Sequence, residues 1–277
     1  MLGRRPGLSA SGFLARALLL PGALVAGLGA PIEASAANGE LASHRAAYRL
    51  MLSQVRGNAG IESAGGAMLY EVVDRCEAWT SQQRFSLSVT SRDGTTTERQ
   101  SDYVTWEAKD GRSLRFRLRQ IVDGQLAQSI TGEARLEADG SGVVRYREPA
   151  EQEVALPAGT LFPMIHSLKI FAAARAGERA LAAPLFDGTS EDGAMESNTA
   201  IVGAVPEGGE RFPALEGVKS WRFRIAFFEA ANTTGSPDYE VGIRYWENGI
   251  ADELTMDFGD FVVEGKLDTL EIVQGGC

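Results

Sequence analysis

The stretch SLRFRLRQIV, residues 113–122, alternates without a break. Leu114, Phe116 and Leu118 fall on one side of an extended chain, and Arg115, Arg117 and Arg119 fall on the other. A period of two belongs to a β-strand with one buried and one wet face. The stretch WRFRIAFF repeats it, with Trp221, Phe223, Ile225 and Phe227 alternating with Arg222 and Arg224. Turn dipeptides punctuate these runs: Asp93-Gly94, Asp110-Gly111, Asp123-Gly124, Asp139-Gly140 and Asn248-Gly249. Such pairs suit the left-handed backbone of two-residue hairpin turns. The first four lie 17, 13 and 16 residues apart, the spacing of consecutive hairpins. Residues 46–148 therefore read as one antiparallel meander and 218–274 as another.

One segment breaks the pattern. In LPAGTLFPMIHSLKIFAAARAG the apolar residues Leu161, Met164, Ile165, Leu168, Phe171 and Ala172 recur at helical spacing. Pro163 is tolerable near a first turn and Gly177 is a natural stop, so a helix is expected over about 161–176. On its wheel His166 and Ile170 lie nearly opposite the Leu161/Ile165/Leu168 face. That leaves His166 turned to a groove or a partner. Residues 186–217, rich in Gly, Pro, Ser and acids, read as short strands with long loops.

The first 36 residues have the three parts of a secretory signal: Arg4, Arg5 and Arg16 without an acid, the apolar run ALLLPGALVAGLGA, and small residues at Ala34 and Ala36. The apolar run, about 14 residues, falls short of the roughly 20 needed to span a bilayer. No other segment is long and apolar enough for a helical span, so no integral membrane segment is expected after cleavage. The whole chain carries 27 basic and 37 acidic residues, a net charge of −10. Removing residues 1–36 takes away three Arg and Glu33, leaving 24 against 36 and a net −12. Such a surface repels nucleic acid and anionic head groups at long range.

Only two cysteines are present, Cys76 and Cys277. In an oxidising compartment two cysteines commonly pair. Here the bridge would close a loop of about 200 residues, with Gly275-Gly276 as the flexible lead. The alternative is two free thiols. Cys76 sits among acids in VVDRCEAW, the wrong setting for a low-pKa reactive thiol.

Chemical signatures are sparse. The two histidines, His44 and His166, belong to no metal-spaced pair, and no HExxH is present. GTSEDG, residues 188–193, has the wrong spacing for a nucleophile elbow at Ser190 and too short a span for a calcium loop. It reads as a solvated acidic turn. The Arg115/Arg117/Arg119 stripe is either a basic groove for an anionic ligand or an ordinary wet face that deters edge pairing. Trp79, Trp106, Trp221 and Trp246 either line a ligand cavity or fill the core.

Taken in order, SHRAAYRLML, GAMLYEVVDRCEAWTSQQRF, SDYVTWEAKDGRSLRF, LPAGTLFPMIHSL, LFDGTSEDG and NGIADELTMDFGDFVVEGKLDTLEIV resemble the EipB family of α-proteobacterial cell-envelope integrity proteins, from about His44 to Cys277. The resemblance implies an all-β single domain over 37–277. Its form is an antiparallel β-spiral, an open broken barrel of about 12–14 strands with one main helix at about 161–176. It implies location in the periplasm of a Gram-negative bacterium and a Cys76–Cys277 disulfide. It also implies envelope maintenance under stress through protein–protein interaction, linked to a periplasmic tetratricopeptide-repeat protein. It brings no catalytic residue, metal or cofactor. His166, Arg115, Arg117 and Arg119 stand as candidate partner- or ligand-facing residues. Two other readings compete: a carrier or sensor of a lipid or other hydrophobic ligand, which needs a sizeable apolar cavity, and a hydrolase using His166, which needs a perturbed histidine beside a carboxylate.

Overall fold

The structure, a computed structural model, describes residues 41–208 and 210–276. The signal-like residues 1–36 and Cys277 lie outside the described residues. Among the latter are fourteen strands. They are β1 (His44–Val55), β2 (Ile61–Asp74), β3 (Ala78–Ser91), β4 (Thr96–Ala108), β5 (Ser113–Val122), β6 (Gln125–Leu136), β7 (Gly142–Glu148) and β8 (Gln152–Leu156), followed by β9 (Ala180–Leu185), β10 (Met195–Val205), β11 (Ser220–Phe228), β12 (Tyr239–Trp246), β13 (Ala251–Asp257) and β14 (Phe261–Ile272). One α-helix, α1 (Pro163–Arg175), separates β8 from β9.

The strands form two antiparallel seven-stranded sheets. One runs β2 to β8 in chain order; the other runs β1-β14-β13-β12-β11-β10-β9. They meet where β1 passes β2: Arg45 pairs with Glu71 at 2.6 Å, and Asp74 N–H donates to Ser43 Oγ at 2.8 Å. At the far side, between β8 and β9, the curl stays open. Leu161 bridges to β9 there, donating to Pro184 O at 2.9 Å while Phe186 N–H donates to Leu161 O at 3.0 Å. The all-β open-barrel architecture is thus present. The expectation that residues 46–148 form one meander needs amendment, because β1 pairs along its length with β14. Alternation fixes which face of a strand is buried, not which strand lies beside it.

On β5 the alternation holds as read, with Leu114, Phe116 and Leu118 buried and Arg115, Arg117 and Arg119 exposed. The turns are more varied than expected. Asp123-Gly124 is a two-residue turn, both residues at positive φ, between paired Val122 and Gln125. At 91–95, 137–141 and 246–250 the loop is one residue longer, with Gly94, Gly140 and Gly249 in the left-handed position. This is the three-residue hairpin with a glycine bulge.

The helix starts two residues later than expected. Its burial is also rotated: Met164, His166, Ser167, Ile170 and Phe171 are buried, Ile165 and Leu168 are half-buried, and Ala172 is exposed. Hydrophobicity alone misplaced the face because two polar residues on the inner side find partners there. Residues 186–217 hold one long strand, β10, rather than several short ones. The GTSEDG turn is only partly solvated: Asp192 is exposed and Ser190 and Glu191 are half-buried, but Gly188, Thr189 and Gly193 are buried and the turn lies over the inner face of the first sheet. Asp187 takes Thr189 N–H and Oγ1–H on its carboxylate, and its carbonyl receives the Tyr103 hydroxyl.

Gly188 has φ +78, and a Cβ there would fall within the Phe116 ring. Phe116 itself is wedged edge-on against Tyr146 and Phe186. Gly188→Ala is expected to cost about 2–4 kcal/mol from backbone strain and overpacking. Urea unfolding checks it; an unchanged midpoint would mean the turn is not packed against the sheet.

Candidate functional site

The candidate site is the end of the open barrel where α1 enters. Pro163 occupies the first helical position, where no N–H is needed. Phe162 precedes it and supplies no side-chain cap. The cap comes from a distant strand: the Glu107 carboxyl group on β4 accepts from Met164 N–H at 2.8 Å and Ile165 N–H at 3.0 Å. Glu107 is 1% exposed. Burial pushes its carboxyl up to about 8, against the opposite pull of the two N–H bonds. It went unremarked in the sequence, yet the strand period identifies it: Ser101, Tyr103, Thr105 and Glu107 all occupy the buried phase of β4.

His166 lies one turn further along, buried rather than turned outward. Its Nε2 is 3.2 Å from Ser197 Oγ on β10, and Ser197 Oγ lies 2.9 Å from Ala183 O. A carbonyl only accepts, so the serine proton goes to Ala183 and the serine accepts from an N–H on His166 Nε2. The imidazole is thus not a base toward Ser197. Burial lowers it to about 4 and keeps it neutral. Ser167 turns its hydroxyl back onto Pro163 O at 3.0 Å.

A cavity of about 60 Å³ lies between α1 and strands β10–β12. His166, Ile170, Met195, Ile225 and Tyr239 are among its lining residues. Small-molecule sites run to roughly 300–1,000 Å³. The rest of the concave side is filled by the helix and inward side chains, including the buried Tyr48, Tyr70, Phe171, Phe223 and Tyr245.

The other residues singled out from the sequence lie elsewhere. Arg115, Arg117 and Arg119 project from the opposite face of the first sheet, with the Arg115 guanidinium 4.9 Å from the centre of the Trp106 ring. Cys76 sits in the β2–β3 turn at φ +67. The chain end reaches it: Gly276 N–H donates to Asp74 O at 2.8 Å, and Gly276 O is 3.3 Å from Cys76 Sγ. Cys277 follows directly and lies outside the described residues. Three sequence candidates thus occupy three separate places: interior, outer face and seam.

The family model described as EipB-like matches residues 35–274. The chain belongs to the EipB-like family. It is 33% identical over 254 residues to the cell envelope integrity protein EipB of Brucella abortus, covering 90% of this chain and 89% of that protein. It also superposes on the crystal structure of a β-barrel-like protein of a domain of unknown function from Brucella abortus. There the TM-score is 0.76 at 29% identity, with 85% of this chain and 99% of that one covered. Family membership and the open all-β barrel expected from the sequence are both confirmed.

Titration at this site has a direction that can be worked out. The folded Glu107 carboxyl, near 8 against an ordinary 4.5, holds a proton that the unfolded chain releases between those values. Its contribution is full below 4.5 and lost as pH rises through about 8. His44 and His166 act oppositely: burial lowers both below 6.5, so their contribution is present above 6.5 and lost as pH falls. From these three groups stability is expected to peak near the ordinary imidazole value of 6.5 and to fall on the alkaline side with a slope of up to about 1.4 kcal/mol per pH unit. Glu107→Gln keeps one acceptor, costs about 1–3 kcal/mol at the peak, and removes the alkaline limb. Denaturant titrations across pH check it; an alkaline limb that survives the substitution assigns the proton to another group.

Proposed function

We propose that this chain is a periplasmic protein that maintains cell-envelope integrity by binding other proteins rather than by catalysis. The observation that carries the proposal is its extended identity to the Brucella abortus cell envelope integrity protein. The signal-like residues 1–36 support the compartment. Two interior features favour this reading over the others: Ser197 turns its proton to Ala183 O rather than to His166, and the apolar space beside α1, about 60 Å³, is small for an acyl chain. A tetratricopeptide-repeat protein is the proposed kind of partner, as the family resemblance suggests.

We also infer a disulfide between Cys76 and Cys277. The nearness of Gly276 to Cys76 supports it, as does the count of two cysteines in an exported chain. Closing a loop of about 200 residues contributes at most about 5 kcal/mol in the chain-entropy model. The bridge would add a covalent tie where β2, β3 and the end of the chain meet.

Deleting the gene is expected to sensitise cells to detergent and to cell-wall antibiotics, with rescue by the full chain. A deletion strain that matches its parent under those stresses refutes the envelope role. A discrete lipid adduct in native mass spectra of periplasmic protein would overturn the protein-binding reading in favour of the carrier. The same spectra under non-reducing conditions are expected to show a mass two hydrogens below that of the reduced chain. Reductant, or Cys76→Ser, is then expected to lower the melting temperature; no mass difference would remove the bridge.

A further inference from the structure

Six arginines share the outward face of β5, β6 and β7: Arg115, Arg117, Arg119, Arg135, Arg145 and Arg147, all exposed. The carboxylates among them are fewer and are shared. Glu133 lies 4.0 Å from Arg115, 3.7 Å from Arg135 and 3.9 Å from Arg147. Arg145 has Glu153 at 2.6 Å. Across the ladder Arg117 faces Val104 and Thr131, neither of them charged. Arg119 faces Asp102 and Ser129, and Asp102 leans instead toward Arg84 at 3.4 Å. Neither Arg117 nor Arg119 has an ion pair among the described residues.

The outer face of the second sheet is built differently. Arg45, Arg49, Arg222, Arg224 and Arg244 have carboxylates at 2.6, 3.0, 2.5, 2.9 and 3.4 Å. A chain of net charge −10 therefore leaves an uncompensated positive stripe on one sheet face. Like charges side by side on a sheet repel, so the stripe is a place where added negative charge is favourable.

We propose that the outward face of β5–β7 binds an acidic segment of another protein, whose carboxylates seat against Arg117 and Arg119. The guanidinium fork takes carboxylates in bidentate fashion, and Arg115, laid on Trp106, supplies the arginine–aromatic contact common at binding hot spots. The shape favours a polypeptide over an anionic membrane. The stripe is three strands wide, roughly 10 Å between its outer strands. It is bordered by Asp102 on one side and by Glu148, Glu151 and Glu153 on the other. A segment fits between those borders, whereas a lipid plane would meet the acids and the net negative charge of the whole molecule.

This inference deepens the protein-binding reading and rests on it. Its test uses the purified full mature chain, so it can fail while the deletion phenotype stands. The probe is a fluorescein-labelled oligo-glutamate peptide followed by anisotropy at low and physiological salt. The variants are the double reversal R117E/R119E and a control, K169E/K219E, which makes the same charge change at exposed lysines elsewhere. Saturable, salt-weakened binding is expected, about tenfold weaker or more in R117E/R119E and within about twofold of the parent in K169E/K219E. Thermal melts of both variants confirm that they fold. Equal losses in the two doubles, or no saturable binding by the parent, would overturn the proposal. So would tighter, Arg117- and Arg119-dependent binding to phosphatidylcholine vesicles containing phosphatidylglycerol, which would make the face a lipid contact.

Discussion

A curled sheet that does not close has to be braced across its interior, and here a buried carboxyl group is one of the braces. Glu107 belongs to the first sheet, but it receives the first backbone N–H groups of α1. The helix in turn belongs to the second sheet by packing: Phe171 meets Phe223 and Tyr245 edge-on, and Ser197 on β10 receives His166. The path Glu107–α1–Phe171 therefore ties β4 of the first sheet to β11 and β12 of the second through the interior. A helix start carries unsatisfied N–H groups and partial positive charge, which is why a carboxyl is suited to the joint even when burial opposes its ionisation.

The opposite side of the barrel is held by a different set of forces. At the β1/β2 seam the buried side chains of both strands share the main core, and polar contacts line its outer edge: Arg45 with Glu71, Ser43 with Asp74, and Lys109 with Asp74 at 2.6 Å. Exposed ion pairs of this kind are individually worth little. What gives the seam its order is convergence, since the β2–β3 turn, the residues before β1 and the last residues of the chain meet there. Val273 N–H reaches Ser43 O, and Gly276 N–H reaches Asp74 O. At the open side, β9 carries Pro184, which has no N–H to offer a further strand, and Leu161 occupies the neighbouring backbone groups. Both devices discourage edge-to-edge growth.

The legible part of the fold was the part set by local rules. Alternation in β5 and β11 gave strand faces, and Asp-Gly and Asn-Gly pairs gave hairpins. The family resemblance, rather than periodicity, supplied the spiral. What stayed hidden depended on partners far away in the chain. The inward turn of His166 requires Ser197, and Ser197 requires Ala183 O. The burial of the acidic turn after Phe186 requires the aromatic wall of Phe116 and Tyr146. The pairing of β1 with β14 joins residues more than two hundred positions apart, and no local pattern encodes it. Glu107 is the intermediate case: its inward phase was readable, but its reason for being there was not.

These same features say where function can be located. The concave side, which a carrier would leave empty, is filled by α1 and large aromatic residues, and three of its polar groups hold the fold. Glu107 caps, His166 braces and Asp187 pins the turn that covers the first sheet. Side chains with uncommitted charge lie outside, and they are unevenly distributed. The second sheet matches its outward arginines to individual carboxylates, while the first spreads one glutamate among three arginines and leaves Arg117 and Arg119 without an ion pair among the described residues. On the proposed protein-binding reading such a barrel presents its outer surface, and among the described residues the arginine face is the part of that surface with positive charge left unpaired.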